Sequence, residues 1–166
     1  MQREGDAGIR VGVGYDSHRF ARGRPLILGG VSIPSEVGLD GHSDADAVCH
    51  AVTDAILGAA ALGDIGELFP DTDPANKNRN SIEMLAAAAD RVSRAGYAVN
   101  QIDVCVVAES PRLAAHREKM RSNLAAALGI ESASVSVKGK SNEGMGWIGQ
   151  NEGLACIAVA TLKTKP

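Results

Sequence analysis

Asp16 and His18 stand two residues apart, directly after a short apolar run near the start of the chain. Side chains two residues apart on a β-strand point to the same side, with their Cα atoms roughly 7 Å apart. Carboxylates and imidazoles are zinc ligands, and a catalytic zinc ion takes three protein ligands and leaves one position open. The pair therefore predicts two ligands of a metal site, at the end of a strand where the site opens to solvent.

His50 is the best candidate for the third ligand, because it lies about two turns into a predicted helix over residues 43–62. Asp46 and Asp54 are one turn away on either side of it, so we expect their carboxylates to orient its ring. Each feature also has an ordinary interpretation, since Asp-x-His pairs are common and most helix histidines only pack. The grouping of three of the four histidines beside acidic residues favours the metal site without deciding it.

His42 directly precedes the predicted helix, and a helix N-terminus attracts anions through its free N–H groups and its dipole. A phosphate bound there would lie close to the predicted metal, which points to phosphate chemistry; a plain loop residue is the alternative for His42. The zinc-protease pattern H-E-x-x-H is absent. Gly12 and Gly14 resemble a dinucleotide-binding motif, but Ser17 occupies the third glycine position, and no Walker A motif is present.

Two further stretches carry polar groups. In GDIGELFPDTDP, residues 63–74, Asp71 and Asp73 flank a threonine, and a capped acidic surface turn is the simpler interpretation. In VKGKSNEGMGW, residues 137–147, lysines and a serine could bind phosphate oxygens. Glu143 could be the single carboxylate that joins substrate phosphates in holding Mg²⁺. A flexible charged loop is an equally good interpretation of this second stretch.

Val- and Ile-rich runs bounded by turn residues predict strands, and Ala- and Leu-rich runs that end near glycines predict helices. The predicted strands are 9–15, 25–33, 102–109, 133–138 and 154–162, and the predicted helices are 43–62, 81–95 and 112–128, ending near Gly63, Gly96 and Gly129. Asn80 or Ser81 is expected to cap the second helix, and Ser43 opens the first with a capping-box spacing. This order predicts a layered α+β or α/β domain.

The chain has 166 residues, 45% hydrophobic and 22% charged, which is ordinary for one folded domain. We expect a flexible N-terminal extension at residues 1–8, a single domain over residues 9–162 and a loose end in the last four residues. A net charge of −3 and only 3% aromatic residues argue against nucleic-acid binding. No segment predicts a membrane helix or a secretory signal. Separated cysteines in apolar surroundings predict reduced, buried thiols and a cytoplasmic protein: Cys49, Cys105 and Cys156.

Together these stretches resemble the 2-C-methyl-D-erythritol 2,4-cyclodiphosphate synthase family of the non-mevalonate isoprenoid pathway. The matching motifs are G-x-D-x-H, L-G-G-V-x-I-P, H-S-D-x-D-x-x-x-H-A-x-T-D-A-x-L-G-A and G-D-I-G-x-L-F-P-D-T-D-P, in order over almost all of residues 10–162. The resemblance implies an α+β fold with a layered mixed sheet and helices packed on one face. It also implies a homotrimer whose sheets face the trimer axis and whose active sites lie at the subunit interfaces.

The reaction implied by the resemblance converts 4-diphosphocytidyl-2-C-methyl-D-erythritol 2-phosphate to the cyclic diphosphate and CMP, by attack of the 2-phosphate on the β-phosphorus. The resemblance implies that Asp16, His18 and His50 hold Zn²⁺. It also implies that Glu143 holds a Mg²⁺ or Mn²⁺ ion that bridges the substrate phosphates.

His42 and Ser141 are the implied catalytic side chains, His42 toward the transition state and Ser141 as a phosphate-binding hydroxyl. The residues implied to contact the substrate are Asp16, His18, His42 and Ser43 near the phosphates; Asp64, Ile65, Gly66, Phe69, Pro70, Asp71, Thr72 and Asp73 near the methylerythritol; Ala108, Glu109, Ser110, Pro111, Arg112, Leu113 and Ala114 near the cytosine; and Lys140, Ser141, Asn142, Glu143, Trp147 and Gln150.

Gln150 departs from the family pattern. Many members carry T-G-R-G-E-G where this chain reads I-G-Q-N-E-G, and an acid where Ile157 stands. In those members the arginine faces a cavity on the trimer axis that can bind an isoprenoid diphosphate. The loss of both charges leaves neither one unpaired, so we expect Gln150 to weaken or remove this binding and to leave the zinc chemistry untouched.

Two other functions stay open at this point. A zinc phosphoesterase would use the same metal to deliver water and would release a linear product. A trimeric ligand-binding protein could retain the fold without catalysis, although the retained set of metal ligands argues against it.

Overall fold

The computed structural model describes residues 8–165, so the predicted N-terminal extension lies almost entirely outside the described residues. Within that range the strands are β1 (Arg10–Arg22), β2 (Leu26–Leu28), β3 (Val31–Ile33), β4 (Val37–Leu39), β5 (Tyr97–Val107), β6 (Val135–Lys140) and β7 (Gly153–Thr164). The helices are α1 (Ala47–Ala60), α2 (Ile65–Leu68), α3 (Ser81–Arg94), α4 (Arg117–Leu128) and α5 (Gly146–Gly149), with 3₁₀ turns at Pro74–Asn76, Ala114–His116 and Ser132–Ser134.

Five strands form one mixed sheet in the order β4-β1-β7-β5-β6. The strands β1 and β5 run antiparallel to the central β7, β4 is antiparallel to β1, and β6 is parallel to β5. The short strands β2 and β3 form a separate hairpin. The prediction of an α+β fold built on a mixed sheet is confirmed.

One face of the sheet is covered by α1, α3 and α4, and the other is open. Along β7 the alternate residues from Leu154 to Leu162 are fully buried, whereas Ile157 and Val159 between them are 43% and 40% exposed. The neighbouring β1 presents large apolar side chains to the same side. We call this surface the open face, and it consists of Val11, Val13, Tyr15, Ile157 and Val159.

Gly12 and Gly14 allow α1 to lie directly on β1. A Cβ atom added to Gly14 would fall 1.8 Å from the carbonyl oxygen of Ala51, and one on Gly12 would fall 2.1 Å from that of Ala55. Non-bonded atoms cannot approach so closely, so no other residue permits this separation. The glycine pair is therefore a helix-packing site, and it draws the first turn of α1 toward the middle of β1.

The helix α1 begins at Ala47, four residues later than predicted. Ala45 has a φ of 58°, a left-handed conformation that an α-helix cannot contain. Asp46 is consequently the N-cap residue instead of Ser43.

The carboxylate of Asp46 is fully buried and holds α1 against the β2–β3 hairpin. It accepts the N–H of Cys49 at 3.1 Å and the N–H groups of Gly29 and Gly30 at 2.8 and 2.7 Å. A carboxylate thus already occupies this helix end. The start of α1 therefore does not supply the N–H groups of the anion site predicted next to His42, and a phosphate contact of His42 itself stays a prediction.

Three strand predictions were wrong in their extent, and one of them is the strand predicted over 102–109, which is β5 and begins five residues earlier at Tyr97. The run over residues 25–33 is the β2–β3 hairpin, because Gly29 and Gly30 both have positive φ and form its turn. The strand β1 continues to Arg22 instead of ending at Tyr15. The strand β4 was not predicted.

The ends of the remaining elements agree with the prediction only in part. Asn80 caps α3, accepting the N–H groups of the first turn. Residues 114–116 form a 3₁₀ turn, so α4 begins five residues after the predicted start at 112. The predicted loose C-terminal end is wrong for the described part, because β7 reaches Thr164 and the next N–H donates to the carbonyl oxygen of Gly96 at 2.8 Å.

The three cysteines are free, as predicted. Cys49 and Cys156 are fully buried, and Cys105 is half-buried on the opposite side of the sheet. Among the described helices, none has both the length and the apolar character needed to cross a bilayer.

Candidate active site

Asp16 and His18 lie on the helix-covered side of β1, and His50 reaches them from the first turn of α1. The Oδ2 atom of Asp16 lies 2.8 Å from Nε2 of His18 and 3.1 Å from Nδ1 of His50, and the two ring nitrogens are 3.3 Å apart. The three predicted ligands therefore come together. They do so in the middle of β1 and not at its end, and His50 is one turn into its helix instead of two.

These three atoms suit a tetrahedral metal ion. Ligands about 2.0–2.1 Å from a zinc ion at tetrahedral angles lie about 3.3 Å from one another. The observed separations of 2.8 to 3.3 Å are close to that value. Among residues 8–165, this is the only such group of histidine, cysteine or acidic side chains.

His18 is oriented by the backbone of the neighbouring strand end. Its Nδ1 lies 2.6 Å from the carbonyl oxygen of Asp40 and donates to it, so the lone pair of Nε2 faces the cluster. Burial disfavours the charged forms of Asp16 and His18, but the hydrogen bonds and opposite charges around each outweigh it. The pKa of Asp16 is consequently lowered and the pKa of His18 is raised.

His50 is oriented by two hydroxyl groups. Its Nε2 lies 3.0 Å from Oγ of Ser81 and 3.1 Å from Oγ of Ser43. The prediction that Asp46 and Asp54 orient this ring is wrong. Asp46 binds the hairpin turn, and Asp54 accepts the first N–H of α2 at 2.7 Å. Both acids are one helical turn from His50, but each is engaged by the backbone of another element.

A cavity of about 320 Å³ opens over the three ligands. The predicted substrate residues that line it are His42, Ser43, Ile65, Gly66, Phe69 and Asp71. His42 is half-buried, and its Nδ1 is 3.9 Å from the exposed carboxylate of Asp71. The cavity thus joins the three candidate ligands to residues from the loop before α1, from α2 and from the loop after α2.

A second cavity, of about 440 Å³, lies beside β5 and β6. The predicted residues that line it are Ala108, Glu109, Pro111, Arg112, Leu113, Ala114, Lys140 and Ser141. The stretch predicted to hold the cytosine and the hydroxyl predicted to bind phosphate therefore flank the same space. The two cavities have no lining residue in common.

The profile of the YgbB family matches residues 9–163, a range that includes the three ligands and both cavities. The chain belongs to this family.

Curated relatives of this chain share one name. A protein of Gemmatimonas aurantiaca named 2-C-methyl-D-erythritol 2,4-cyclodiphosphate synthase is 58% identical over 154 residues, which are 93% of each chain. The solved structure of the bifunctional IspDF from Campylobacter jejuni is similar with a TM-score of 0.91 and 46% identity over 95% of this chain. The match spans only 42% of that bifunctional protein. The CDP complex of IspF from Plasmodium falciparum has a TM-score of 0.84 and 34% identity, over 98% of this chain and all of the other.

Several residues implied by the family resemblance lie outside the linings of both cavities: Asp64, Pro70, Thr72, Asp73, Ser110, Asn142, Glu143, Trp147 and Gln150. Asp64 caps α2, where it accepts the N–H of Glu67 at 2.9 Å. Asp73 accepts the N–H of Ala75 at 2.9 Å, which is the capping role of an acidic surface turn. Both carboxylates stay exposed to solvent.

Glu143 lies on an ordered turn with a φ of 53°. The carboxylate of Glu109 holds this turn by accepting the N–H groups of Asn142 at 2.8 Å and Gly144 at 3.2 Å. The hydroxyl of Ser141 donates to the carboxylate of Glu143 at 3.1 Å. The stretch after β6 therefore has a defined conformation that presents Glu143 to solvent.

Arg24 and Ser81 support the site, although neither was predicted to do so. The guanidinium group of Arg24 donates to the carbonyl oxygens of Gly41 and Ser43, both at 2.6 Å, and fixes the loop that carries His42. In the sequence Ser81 was only an alternative helix cap. No rule of sequence spacing connects Ser81 to His50, or Arg24 to His42.

Proposed function

We propose that this chain closes the ring of 2-C-methyl-D-erythritol 2,4-cyclodiphosphate in non-mevalonate isoprenoid biosynthesis. The 2-phosphate of the diphosphocytidyl substrate attacks the β-phosphorus, the bond from that phosphorus to the α-phosphate oxygen breaks, and CMP leaves. Membership of the YgbB family and the named relatives support this function. The observation that carries it is the convergence of Asp16, His18 and His50 on one cavity.

These three residues would hold Zn²⁺, which supplies a Lewis acid for the β-phosphate when bound. No water enters the reaction, so the task of the protein is to position the two phosphates and to stabilise their charge. His42 is the half-buried side chain best placed to donate to a phosphate oxygen in this cavity. In the other cavity, Lys140 and Ser141 offer an ammonium group and a hydroxyl for the same purpose.

The stretch over residues 108–114 would hold the cytosine. It lines the second cavity mostly with small and aliphatic residues, and a base can be read there by backbone N–H and carbonyl groups. This mode of recognition needs no aromatic stacking, in accord with a chain that contains only 3% aromatic residues.

We also infer a homotrimer whose sheets face the threefold axis. The open face leaves five large apolar side chains 40–67% exposed, and such a patch is typical of a protein interface. Because the two cavities share no lining residue, a substrate with a cytidine end and a methylerythritol end would be bound between neighbouring subunits. Ile157, which stands where many family members have an acid, belongs to the open face.

The expectation that Gln150 weakens or removes isoprenoid diphosphate binding at the axis stays a prediction.

The catalytic unit proposed here comprises residues 9–162 and acts in the cytoplasm.

The proposed function is tested by incubating the protein with the diphosphocytidyl substrate, with and without a chelator, and measuring the CMP released. We expect CMP and a cyclic diphosphate, identified by phosphorus NMR, and neither product when the chelator is present. A linear product would indicate a zinc phosphoesterase instead, and binding without any release of CMP would indicate a ligand-binding protein.

Glu143→Gln tests the second metal. We expect the Mg²⁺ or Mn²⁺ concentration needed for half-maximal activity to rise by about tenfold or more, because a lost charged ligand weakens binding by at least ~1.4 kcal/mol. The zinc content should stay unchanged. Glu131→Gln, at an exposed carboxylate before β6, is the matched control and should leave the requirement as it is. A Glu143 variant that is indifferent to metal concentration would show that another carboxylate holds the ion.

A further inference from the structure

The side chain of Ser81 connects the predicted ligand His50 to an acid on the preceding loop. Its Oγ lies 3.0 Å from Nε2 of His50 and donates a short hydrogen bond to Oδ1 of Asp44. The backbone N–H of Ser81 donates to the other oxygen of the same carboxylate at 3.0 Å. Ser81 is 1% exposed and Asp44 is half-buried, so the arrangement is shielded from competing water.

The direction of these hydrogen bonds follows from the groups involved. A carboxylate only accepts, and a serine hydroxyl has a single proton. Because Ser81 gives its proton to Asp44, it can only accept from His50. With a metal ion between Asp16 and Nδ1 of His50, which are 3.1 Å apart, the proton of the neutral imidazole would then be on Nε2 and the lone pair of Nδ1 would face the ion.

Ser43 agrees with this assignment. Its Oγ accepts the N–H of Ala45 at 3.1 Å and also lies 3.1 Å from Nε2 of His50. With a proton on Nε2, Ser43 accepts there as well. Its own hydroxyl proton is then available for donation into the cavity that Ser43 lines.

We propose that Asp44 and Ser81 are positioning residues that hold His50 in the tautomer and orientation needed for metal binding, with Asp44 acting through the hydroxyl of Ser81. The inference rests on the proposed metal site. A ligating imidazole whose second nitrogen donates to a fixed acceptor is more basic and better aligned. Here the acceptor is a hydroxyl polarised by a carboxylate, supplied by the first residue of α3.

Two variants break the hydrogen bonds that link Asp44, Ser81 and His50 at different points. Ser81→Ala removes the acceptor for His50. Asp44→Asn keeps the size of the side chain but offers an NH₂ group to Ser81, which can then turn its proton toward Nε2. We expect the zinc affinity of the purified protein, measured against a competing chelator, to fall roughly 10–100-fold in both variants. Ser81→Thr retains the hydroxyl and should restore most of the affinity.

Asn80→Ala is the matched control, because it removes the cap of the same helix next to Ser81 without touching His50. It should lower the stability of the protein and leave the zinc affinity unchanged. Zinc affinities of Ser81→Ala and Asp44→Asn equal to that of the wild type would overturn the proposal. So would an equal loss in Asn80→Ala, since the effect would then be one of helix stability.

The tautomer itself can be read from the ¹⁵N shifts of labelled histidine in metal-free Asp16→Ala protein, at a pH where the imidazole is neutral. This background removes the carboxylate that would otherwise accept a proton from Nδ1 of His50. We expect the Nε2–H form of His50 in Asp16→Ala and a gain of the Nδ1–H form when Asp44→Asn is added. The Nδ1–H form in Asp16→Ala alone would overturn the proposal. If the wild type bound no zinc, the metal site itself would be wrong, and the tautomer in Asp16→Ala would still decide for or against the role of Asp44 and Ser81.

Discussion

Replacement of His50 by alanine is expected to abolish zinc binding and to lower the rate of CMP release by about a thousandfold or more. A metal acting as a Lewis acid contributes several kcal/mol of transition-state stabilisation, and each 1.4 kcal/mol corresponds to a factor of about ten. His50 supplies one of only three ligand atoms, 3.1 Å from Asp16 and 3.3 Å from His18, so its loss leaves two. Zinc content by elemental analysis and initial rates of CMP formation measure the two effects.

His116→Ala is the control for this variant. His116 is the one histidine outside the candidate site: it lies on a 3₁₀ turn and lines neither cavity. The zinc content and rate of His116→Ala should match those of the wild type. An alanine at position 50 that leaves a full equivalent of zinc and an unchanged rate would reject the ligand assignment, and with it the route by which the protein is proposed to activate the β-phosphate.

Gly14→Ala is expected to have the largest effect on stability, lowering the free energy of unfolding by about 3 kcal/mol or more. The added Cβ would lie 1.8 Å from the carbonyl oxygen of Ala51 and 2.8 Å from the nitrogen of Ala55. Both are backbone atoms of α1, so no side chain can move to relieve the contact. The helix must shift away from β1, and this shift carries His50 away from Asp16. We therefore expect weaker zinc binding as well as lower stability, measured by urea unfolding and by competition with a chelator.

Gly58→Ala is the matched control on the same helix. Gly58 is exposed within α1, and a Cβ there would approach nothing closer than the carbonyl oxygen of Val13 at 4.0 Å. Alanine should stabilise this position by about 0.5–1 kcal/mol, because glycine is the poorer helix former. If Gly14→Ala unfolded at the same urea concentration as the wild type, the direct contact between β1 and α1 would be refuted.

The sequence predicted the cluster of Asp16, His18 and His50 because two of its members obey a local rule. Asp16 and His18 are separated by the period of a strand, and this holds wherever in β1 they lie. His50 could be proposed from its position on a helix, but the distance between that helix and β1 depends on Gly12 and Gly14. Their packing role is not evident from the sequence, since a G-x-G pair in an apolar run also resembles part of a nucleotide-binding motif.

The partners of His50 show where sequence reasoning fails. Asp46 and Asp54 have the right spacing along α1, yet the carboxylate of each is engaged by backbone N–H groups of other elements. Ser81 has no local relation to His50, since it begins a different helix 31 residues later. A contact of this kind depends on the packing of α3 against α1, and the amino-acid pattern of neither helix encodes it.

The start of α1 illustrates a competition between local signals. Ser43, Asp44 and Asp46 are all good capping residues, and the capping-box spacing predicts the first of them as the cap. In the structure Ser43 is used by His50, and the positive φ of Ala45 leaves only Asp46 to cap the helix. The backbone conformation of a single alanine thus moves the helix start by four residues and leaves the two earlier side chains for the site.

The antiparallel register of β1 with β7 has a consequence for how the protein can fail. Arg10 to Arg19 pair with ten consecutive residues of β7. Since neighbouring residues on a strand face opposite ways, a slip by one position would exchange Asp16 and His18 for Tyr15 and Ser17 beneath α1. Such a misaligned chain would keep its strands and lose the proposed metal site. If the site binds zinc, the stoichiometry of bound metal in a preparation would therefore count the molecules whose first strand is correctly paired.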